Sequence, residues 1–427
     1  MLYGAVKIIM TIACRFFYRR MYATGLESIP TKGPVIIIAN HMSSLMDAAL
    51  LGILVERPIH FFTRGDIFTG RIASKMLDAL HMIPVHNYET DRNSLSINDD
   101  SFLRASTILE KGGIVVFFPE GTSHTDRKLK PFRKGAFRLA FQSAKLTDFN
   151  KNITIMPAGI NYSHPVAYQA DVMIHFGTPI LLNDYLEEYL SSPAAALLHI
   201  TKDSFAAIEK KVLNIADESK FKLVENCLQI KQNNYTFHTQ QWMQSTIKKL
   251  EQEKSVCWII QKLTVCETAS LQETIDDYGK HLLQHQLDDK TLSSVFSFSS
   301  GKRLLVLTGF PLFALGYLLN CLPVIISKRI ADTKVYRSDF YSWILVSCTV
   351  FLYIAWLITL LLGFLVVGWK YSFGVIILTI ISGIFVHHYL QWKDDFIQNR
   401  KLEKIRLKDP VLLRELHDLR QKISETI

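Results

Sequence analysis

Asn40-His41-Met42-Ser43-Ser44-Leu45-Met46-Asp47 is bracketed by two apolar runs, Val35-Ile36-Ile37-Ile38-Ala39 before it and Ala48-Ala49-Leu50-Leu51-Gly52-Ile53-Leu54 after it. The first run is short and β-rich and reads as a buried strand; the second is longer and reads as a helix. His41 therefore leaves a strand end, Ser43 or Ser44 can cap the helix, and Asp47 lies in its first turn. Open α/β sheets gather ligands at the carboxyl ends of their strands, and an imidazole near a carboxylate is the usual pairing for general-base work. Taken alone, the pair is equally a capping histidine and a charge that favours a helix N-terminus. Its neighbours have to decide.

Outward from this stretch, strands and helices alternate between residues 30 and 180. Candidate strands fall at 35–39, 59–63, 81–85, 114–118, 153–158 and 172–176, with helical patterns at 44–55, 70–80, 95–111 and 134–146, and Gly112-Gly113 is a natural helix stop. The alternation predicts an α/β domain in which a mostly parallel central sheet is flanked by helices. Three further features stand at or just beyond predicted strand ends. One is Phe62-Thr63-Arg64-Gly65-Asp66, followed by His81-Met82-Ile83-Pro84-Val85-His86. The next is Phe117-Phe118-Pro119-Glu120-Gly121-Thr122-Ser123-His124, which leads into the basic run Arg127-Lys128-Leu129-Lys130-Pro131-Phe132-Arg133-Lys134-Gly135. The last is Ile155-Met156-Pro157-Ala158-Gly159-Ile160.

Together with His41 and Asp47 these blocks resemble the glycerolipid acyltransferase family, the one containing bacterial lysophosphatidic acid acyltransferases (PlsC-like). The phrase Phe118-Pro119-Glu120-Gly121-Thr122 after a hydrophobic strand is the most specific part of the resemblance, which covers about a third of the chain. The chain departs from the family pattern in two places. Five residues separate His41 from Asp47 where the family has four, and one residue is a rotation of about 100° on a helix. The longer spacing, with Thr63-Arg64-Gly65-Asp66, is similar to fungal glycerol-3-phosphate acyltransferases. The arginines that the family carries after its Glu-Gly-Thr and at the end of its second block are here Ser123 and His86.

The resemblance implies roles for particular residues. His41 is the general base that takes a proton from a glycerol hydroxyl as it attacks a thioester carbonyl, and Asp47 orients the imidazole. Glu120, Gly121 and Thr122 belong to the acyl-acceptor site, and Pro157 to the block near the acyl chain or donor. Backbone N–H groups at the helix N-terminus after His41 are candidates for stabilising the oxyanion. Arg64, Arg133 and Lys134 are the candidates for the acceptor's phosphate, with Lys134-Gly135 opening a predicted helix where an anion is favoured. For Arg127, Lys128 and Lys130 a solvated basic face against lipid headgroups is an equal alternative, and Asp66, His86 and His124 read as structural. No ligand spacing fits a metal site, and the reaction calls for no cofactor beyond an acyl-CoA or acyl carrier protein thioester.

The rest of the chain points to a membrane. Of its 427 residues 49% are hydrophobic, and the net charge is +9. With no nucleic-acid signature beside it, that charge fits an anionic lipid surface. Six scattered cysteines without a Cys-x-x-Cys pair suggest reduced thiols in a cytoplasmic compartment. Residues 1–22, apolar and then basic, read as a membrane-interface anchor, ahead of an acyltransferase domain at 23–184. Residues 185–302 form a polar helical extension. Residues 303–392 are a membrane module with apolar segments at 304–327, 341–368 and 371–390, and residues 393–427 are a charged amphipathic tail suited to self-association. Basic residues in the first connection and after the last segment place both on the cytoplasmic side with the catalytic domain. That topology makes 304–327, interrupted by Pro311, Gly316 and Pro323, a re-entrant or in-plane hairpin ahead of two transmembrane helices.

The expected function is a cell-membrane O-acyltransferase of phospholipid synthesis. Its first-choice acceptor is lysophosphatidic acid, giving phosphatidic acid, with glycerol-3-phosphate close behind. Two other readings stay open: acylation of an amino-acid or sugar lipid, and a non-catalytic lipid-binding protein on an acyltransferase-like fold.

Overall fold

A computed structural model of the chain describes residues 1–85, 95–234, 242–366 and 368–427. Among the expected site residues only His86 lies outside them. The described chain divides into two compact units. One comprises Met1–Asn214, Gln241–Leu250 and Ala331–Val346; the other comprises Ile215–Gln240, Glu251–Ile330 and Ser347–Ile427.

The first unit is built on a sheet whose apolar strands are those the residue pattern predicts, within a few residues: β2 Val35–Ala39, β3 Ile59–Arg64, β4 Met82–Val85, β5 Ile114–Phe117, β6 Thr154–Tyr162 and β7 Asp171–Phe176. Three more join them, β1 Arg20–Thr24, β8 Ile180–Leu181 and β9 Met243–Gln244. The order is β4-β3-β5-β2-β6-β7-β1-β9, with β8 on β6. All neighbours are parallel except β6 with β7 and β6 with β8. Every residue of β2 and β6 is buried, as befits central strands covered on both faces. Helices α1 Leu2–Phe17, α2 Ser44–Leu54, α3 Gly70–Ala79, α4 Leu95–Glu110 and α5 Gly135–Lys145 connect and cover them. Phe137 and Phe141 of α5 are fully buried against Ile36, Ile38, Val115 and Ile155; truncating either to alanine would cost about 3–5 kcal/mol.

Topology places the site. The chain leaves β2 through α2 toward β3 on one side, and leaves β5 through α5 toward β6 on the other. The ends of β2 and β5 therefore flank a switch point, where open α/β sheets hold their ligands.

Several expected boundaries shift. The stretch to Tyr22 is not all anchor. The outer side of α1 exposes Leu2, Ile8, Ile9, Ile12 and Phe16, whereas Met10, Cys14 and Phe17 are buried, and Arg20–Thr24 is a strand of the sheet. Arg19, one of the basic residues of the expected anchor, donates instead to Asp171 at 2.9 and 2.8 Å. Past residue 184, helices α6 Leu186–Ser191 and α7 Pro193–Glu209 complete the core of this unit, with Ala196, Ile200 and Ile208 packed into it. The polar extension therefore starts later than residue 185.

In the second unit the predicted hairpin over 304–327 does not form. Phe310–Lys334 is one helix with Pro323 inside it. Pro311 falls in its first turn, where a missing N–H costs nothing. Gly316 is a contact, not a break: a Cβ there would stand 2.8 Å from the carbonyl oxygen of Ser382. Asn320 donates to the carbonyl of Thr379 at 3.1 Å, and Trp356 to that of Leu319 at 2.7 Å. Phe310–Lys334, Ser338–Gly363 and Phe373–Lys408 are each long and apolar enough to cross a membrane. The boundary expected at 392 falls inside the continuous helix Trp369–Lys408. The final helix, Pro410–Thr426, buries Leu412, Leu416, Arg420 and Ile423. Arg420 pairs with Asp289 at 2.8 Å, which also accepts from the Tyr278 hydroxyl at 2.6 Å. The tail's apolar stripe is thus occupied by its own chain, so that stripe is not free for self-association.

Candidate active site

His41 leaves the end of β2, and its Nδ1 stands 2.9 Å from Oδ2 of Asp47. The same oxygen accepts the backbone N–H groups of Met42 and Ser43, each at 2.8 Å. The extra residue in the His–Asp spacing is absorbed by the backbone: Ser44 takes φ 41°, the left-handed region, so the helix starts with Asp47 turned back onto His41. Neither Ser43 nor Ser44 caps α2 through its side chain. Two of the N–H groups expected to serve an oxyanion, those of Met42 and Ser43, are committed to Asp47.

The imidazole is held on three sides. Its face stacks on Phe118 at 4.0 Å between centroids and 11° between planes. The His41 backbone N–H donates to Oε1 of Glu120 at 2.8 Å, and its carbonyl accepts from the N–H of His124 at 3.0 Å. Preceding it, the buried Asn40 side chain makes two bonds to the backbone of Ile160, at 2.9 and 2.7 Å, extending the β2–β6 pairing past the strand end. The side chain of His41 remains 16% exposed. Among the described residues Nε2 has no hydrogen-bond partner, which leaves that nitrogen for a substrate hydroxyl.

Glu120, expected on the acceptor, has its carboxylate fully taken up by protein. Oε2 faces Nε2 of His124 at 2.5 Å and the N–H of Lys130 at 3.1 Å, and the side chain has no solvent exposure. Gly121 turns at φ 80°, the left-handed region that favours glycine, and the Arg133 side chain lies close over it. Thr122 is exposed beside it. Arg133 is exposed, and its N–H donates to the carbonyl of Pro119 at 2.7 Å; Lys134 stands at the start of α5. Arg64 ends β3 on the same sheet edge, paired with the exposed Asp66. Pro157 lies buried inside β6, in register with Ile38. Arg127, grouped above with a solvated face, is buried and donates to the carbonyl of Ser163 at 2.7 Å. Among the described residues no three His, Cys, Asp or Glu side chains gather as metal ligands would.

Two contacts were missed from the sequence. The hydroxyl of Tyr162 donates to Oδ1 of Asp47 at 2.5 Å; a tyrosine closing the buried strand β6 was the available signal. Ser123 is gripped from afar in sequence: its hydroxyl bonds the Asp339 carboxylate, and Arg337, paired with Asp339 at 2.8 Å, donates to its carbonyl at 3.2 Å. No local pattern connects residues so distant along the chain.

Part of the chain is similar to known proteins. The family described as Acyltransferase matches residues 20–161, which hold His41, Asp47 and Glu120. Across 117 residues the chain is 31% identical to a chloroplastic 1-acyl-sn-glycerol-3-phosphate acyltransferase of Brassica napus, covering 27% of this chain and 32% of that protein. Across 130 residues it is 28% identical to glycerol-3-phosphate O-acyltransferase 2 of Saccharomyces cerevisiae, covering 30% of this chain and 16% of the yeast protein. The chain thus spans about a third or less of the length of these relatives. Among solved structures, the 1-acyl-sn-glycerophosphate acyltransferase PlsC of Thermotoga maritima aligns at 17% identity and a TM-score of 0.37, over 49% of this chain and 78% of that one.

Proposed function

We propose that the chain is a membrane-bound O-acyltransferase that moves a fatty acyl group from acyl-CoA or acyl carrier protein to lysophosphatidic acid, making phosphatidic acid. The observation that carries this reading is the His41–Asp47 pair, bonded at Nδ1 with Nε2 left for substrate, inside a segment of the acyltransferase family. Nε2 takes the proton of the acceptor hydroxyl as the oxygen attacks the thioester carbonyl. The imidazolium, stabilised by Asp47, then returns a proton to the departing thiolate as the C–S bond breaks, leaving an ester and a free thiol. No covalent enzyme intermediate is required.

Arg133 and Lys134 are the cations assigned to the acceptor phosphate, because Arg64 is already paired with Asp66. Glycerol-3-phosphate is the second acceptor, favoured by the five-residue His–Asp spacing and the yeast relative. In this reading the catalytic domain faces the cytoplasm at the cell membrane. Arg337 and Asp339 bond Ser123 of the catalytic loop, so the connection after Phe310–Lys334 is assigned to the catalytic side. Ser338–Leu365 and Trp369–Lys408 would then form the crossing pair.

The test uses detergent-purified protein with radiolabelled acyl-CoA and acyl carrier protein against lysophosphatidic acid, glycerol-3-phosphate, lysophosphatidylcholine and a lyso-amino-acid lipid. Transfer to a glycerol phosphate, abolished in His41→Ala, supports the reading. Folded protein inert with every pair would favour the non-catalytic lipid-binding alternative.

A further inference from the structure

Tyr162 lies one residue beyond the matched segment 20–161 and closes the fully buried strand β6. Its hydroxyl is the only donor to Oδ1 of Asp47 among the described residues, while Oδ2 serves His41 and the N–H groups of Met42 and Ser43. Tyr162 and Asp47 both have no solvent exposure. Water therefore cannot replace the phenol.

We propose that Tyr162 is a positioning residue for acyl transfer, fixing the rotation of the Asp47 carboxylate and limiting how strongly that carboxylate stabilises the His41 imidazolium. The inference rests on the His41–Asp47 reading given above. A donor to a carboxylate draws charge from it, and in a dry site that withdrawal reaches the partner on the other oxygen. With the phenol removed, Asp47 holds the His41 proton more tightly, and a base that keeps its proton to higher pH is silent over part of its working range.

Few other groups face the pair. Glu120 and, through it, His124 bear on the His41 backbone, and Tyr18 and Cys14 lie behind Tyr162, the Tyr18 ring 6.0 Å from it. Burial first, and the charge of Asp47 next, push the Tyr162 phenol well above its ordinary range, so it stays a donor throughout any working pH.

The experiment compares Tyr162→Phe with the wild type and His41→Ala, all full-length in detergent. In Tyr162→Phe the acid limb of kcat/KM is expected to move up by about half a pH unit or more, and kcat to fall about tenfold, with acceptor KM unchanged. Nitrogen resonances of 15N-histidine-labelled protein give a readout without turnover. The imidazole signal that vanishes in His41→Ala should titrate at higher pH in Tyr162→Phe. If that variant does not fold, 3,5-difluorotyrosine at position 162, a stronger donor of nearly the same shape, should shift the same titration downward. A lowered melting temperature with the acid limb and the His41 resonance unmoved overturns the proposal. Absence of His41-dependent transfer in the wild type would refute the reaction instead, and the nitrogen titration would still decide the role of Tyr162.

Discussion

The backbone N–H of His41 donates to Oε1 of Glu120 at 2.8 Å, so the loop carrying His41 is moored to a carboxylate of the neighbouring loop. The second oxygen of Glu120 is spent on His124 and Lys130. A carboxylate so committed is expected to act through His41 and not on the acceptor. Glu120→Gln keeps one carbonyl oxygen but turns the other acceptor into a donor facing the Lys130 N–H. It should lower kcat at least about tenfold with acceptor KM within about twofold of wild type. Steady-state kinetics decide: a raised acceptor KM at unchanged kcat would put this carboxylate on the substrate.

Ser44 carries the cost of the longer His–Asp spacing. At φ 41° a side chain is strained, and a β-branched one severely so. Ser44→Gly should leave activity intact and raise stability by about 0.5–1 kcal/mol, whereas Ser44→Val should cost about 1–3 kcal/mol and disturb the His41–Asp47 contact. Deleting Ser44 restores the four-residue spacing but removes the left-handed step, so the deletion should abolish transfer. Thermal melting and single-turnover assays on the three variants test the set.

The sheet was legible because its central strands are short, wholly apolar and separated by helices of clear period: Val35–Ala39 and Ile114–Phe117 stand where the pattern puts them. Arg20–Thr24 was not, since a strand with arginine at its head follows an apolar helix without punctuation and reads as the helix's basic flank. His41 and Asp47 could be picked as a pair, but their contact could not be derived, because it depends on one left-handed residue. The partners of Glu120 were not legible for a related reason: a charged residue in an exposed-looking turn gives no sign that three protein donors will close around it. Arg337 and Asp339 were invisible as partners of Ser123, because tertiary contacts across such distances leave no local periodicity.

His175 supplies a pH dependence that has nothing to do with catalysis. It is fully buried in β7, with Nδ1 2.8 Å from the Thr24 hydroxyl and no partner at Nε2 among the described residues. Burial first and the Lys211 charge next lower its pKa to about 4. Between the unfolded value near 6.5 and about 4, the unfolded chain binds a proton that the folded chain refuses, so stability falls as pH drops through that window and is constant above it. The loss is at most about 3 kcal/mol from this residue. His60, lowered to about 4 mainly by burial, acts in the same direction. Melting temperature followed from pH 8 to 4 should decline below about 6.5 in the wild type and decline less in His175→Gln; equal slopes would remove His175 as a cause.

The topology can be read chemically. Tyr336, next to Arg337, is almost fully exposed, as are large parts of Tyr371 and Val411. Single cysteines at these three positions, in a chain whose six native cysteines are replaced, report their side of the membrane through an impermeant maleimide. With the connection at 336 docked on the catalytic loop and the next two helices crossing, positions 336 and 411 should label only after permeabilisation, and position 371 in intact cells. The reverse pattern, at all three positions, would place 336 opposite the catalytic domain. Ser123 could not then bond Asp339, because no hydrogen bond joins two faces of a bilayer whose hydrocarbon core is about 30 Å thick. Labelling of position 336 from outside would therefore refute both the two-crossing topology and the docking of that connection on the catalytic loop.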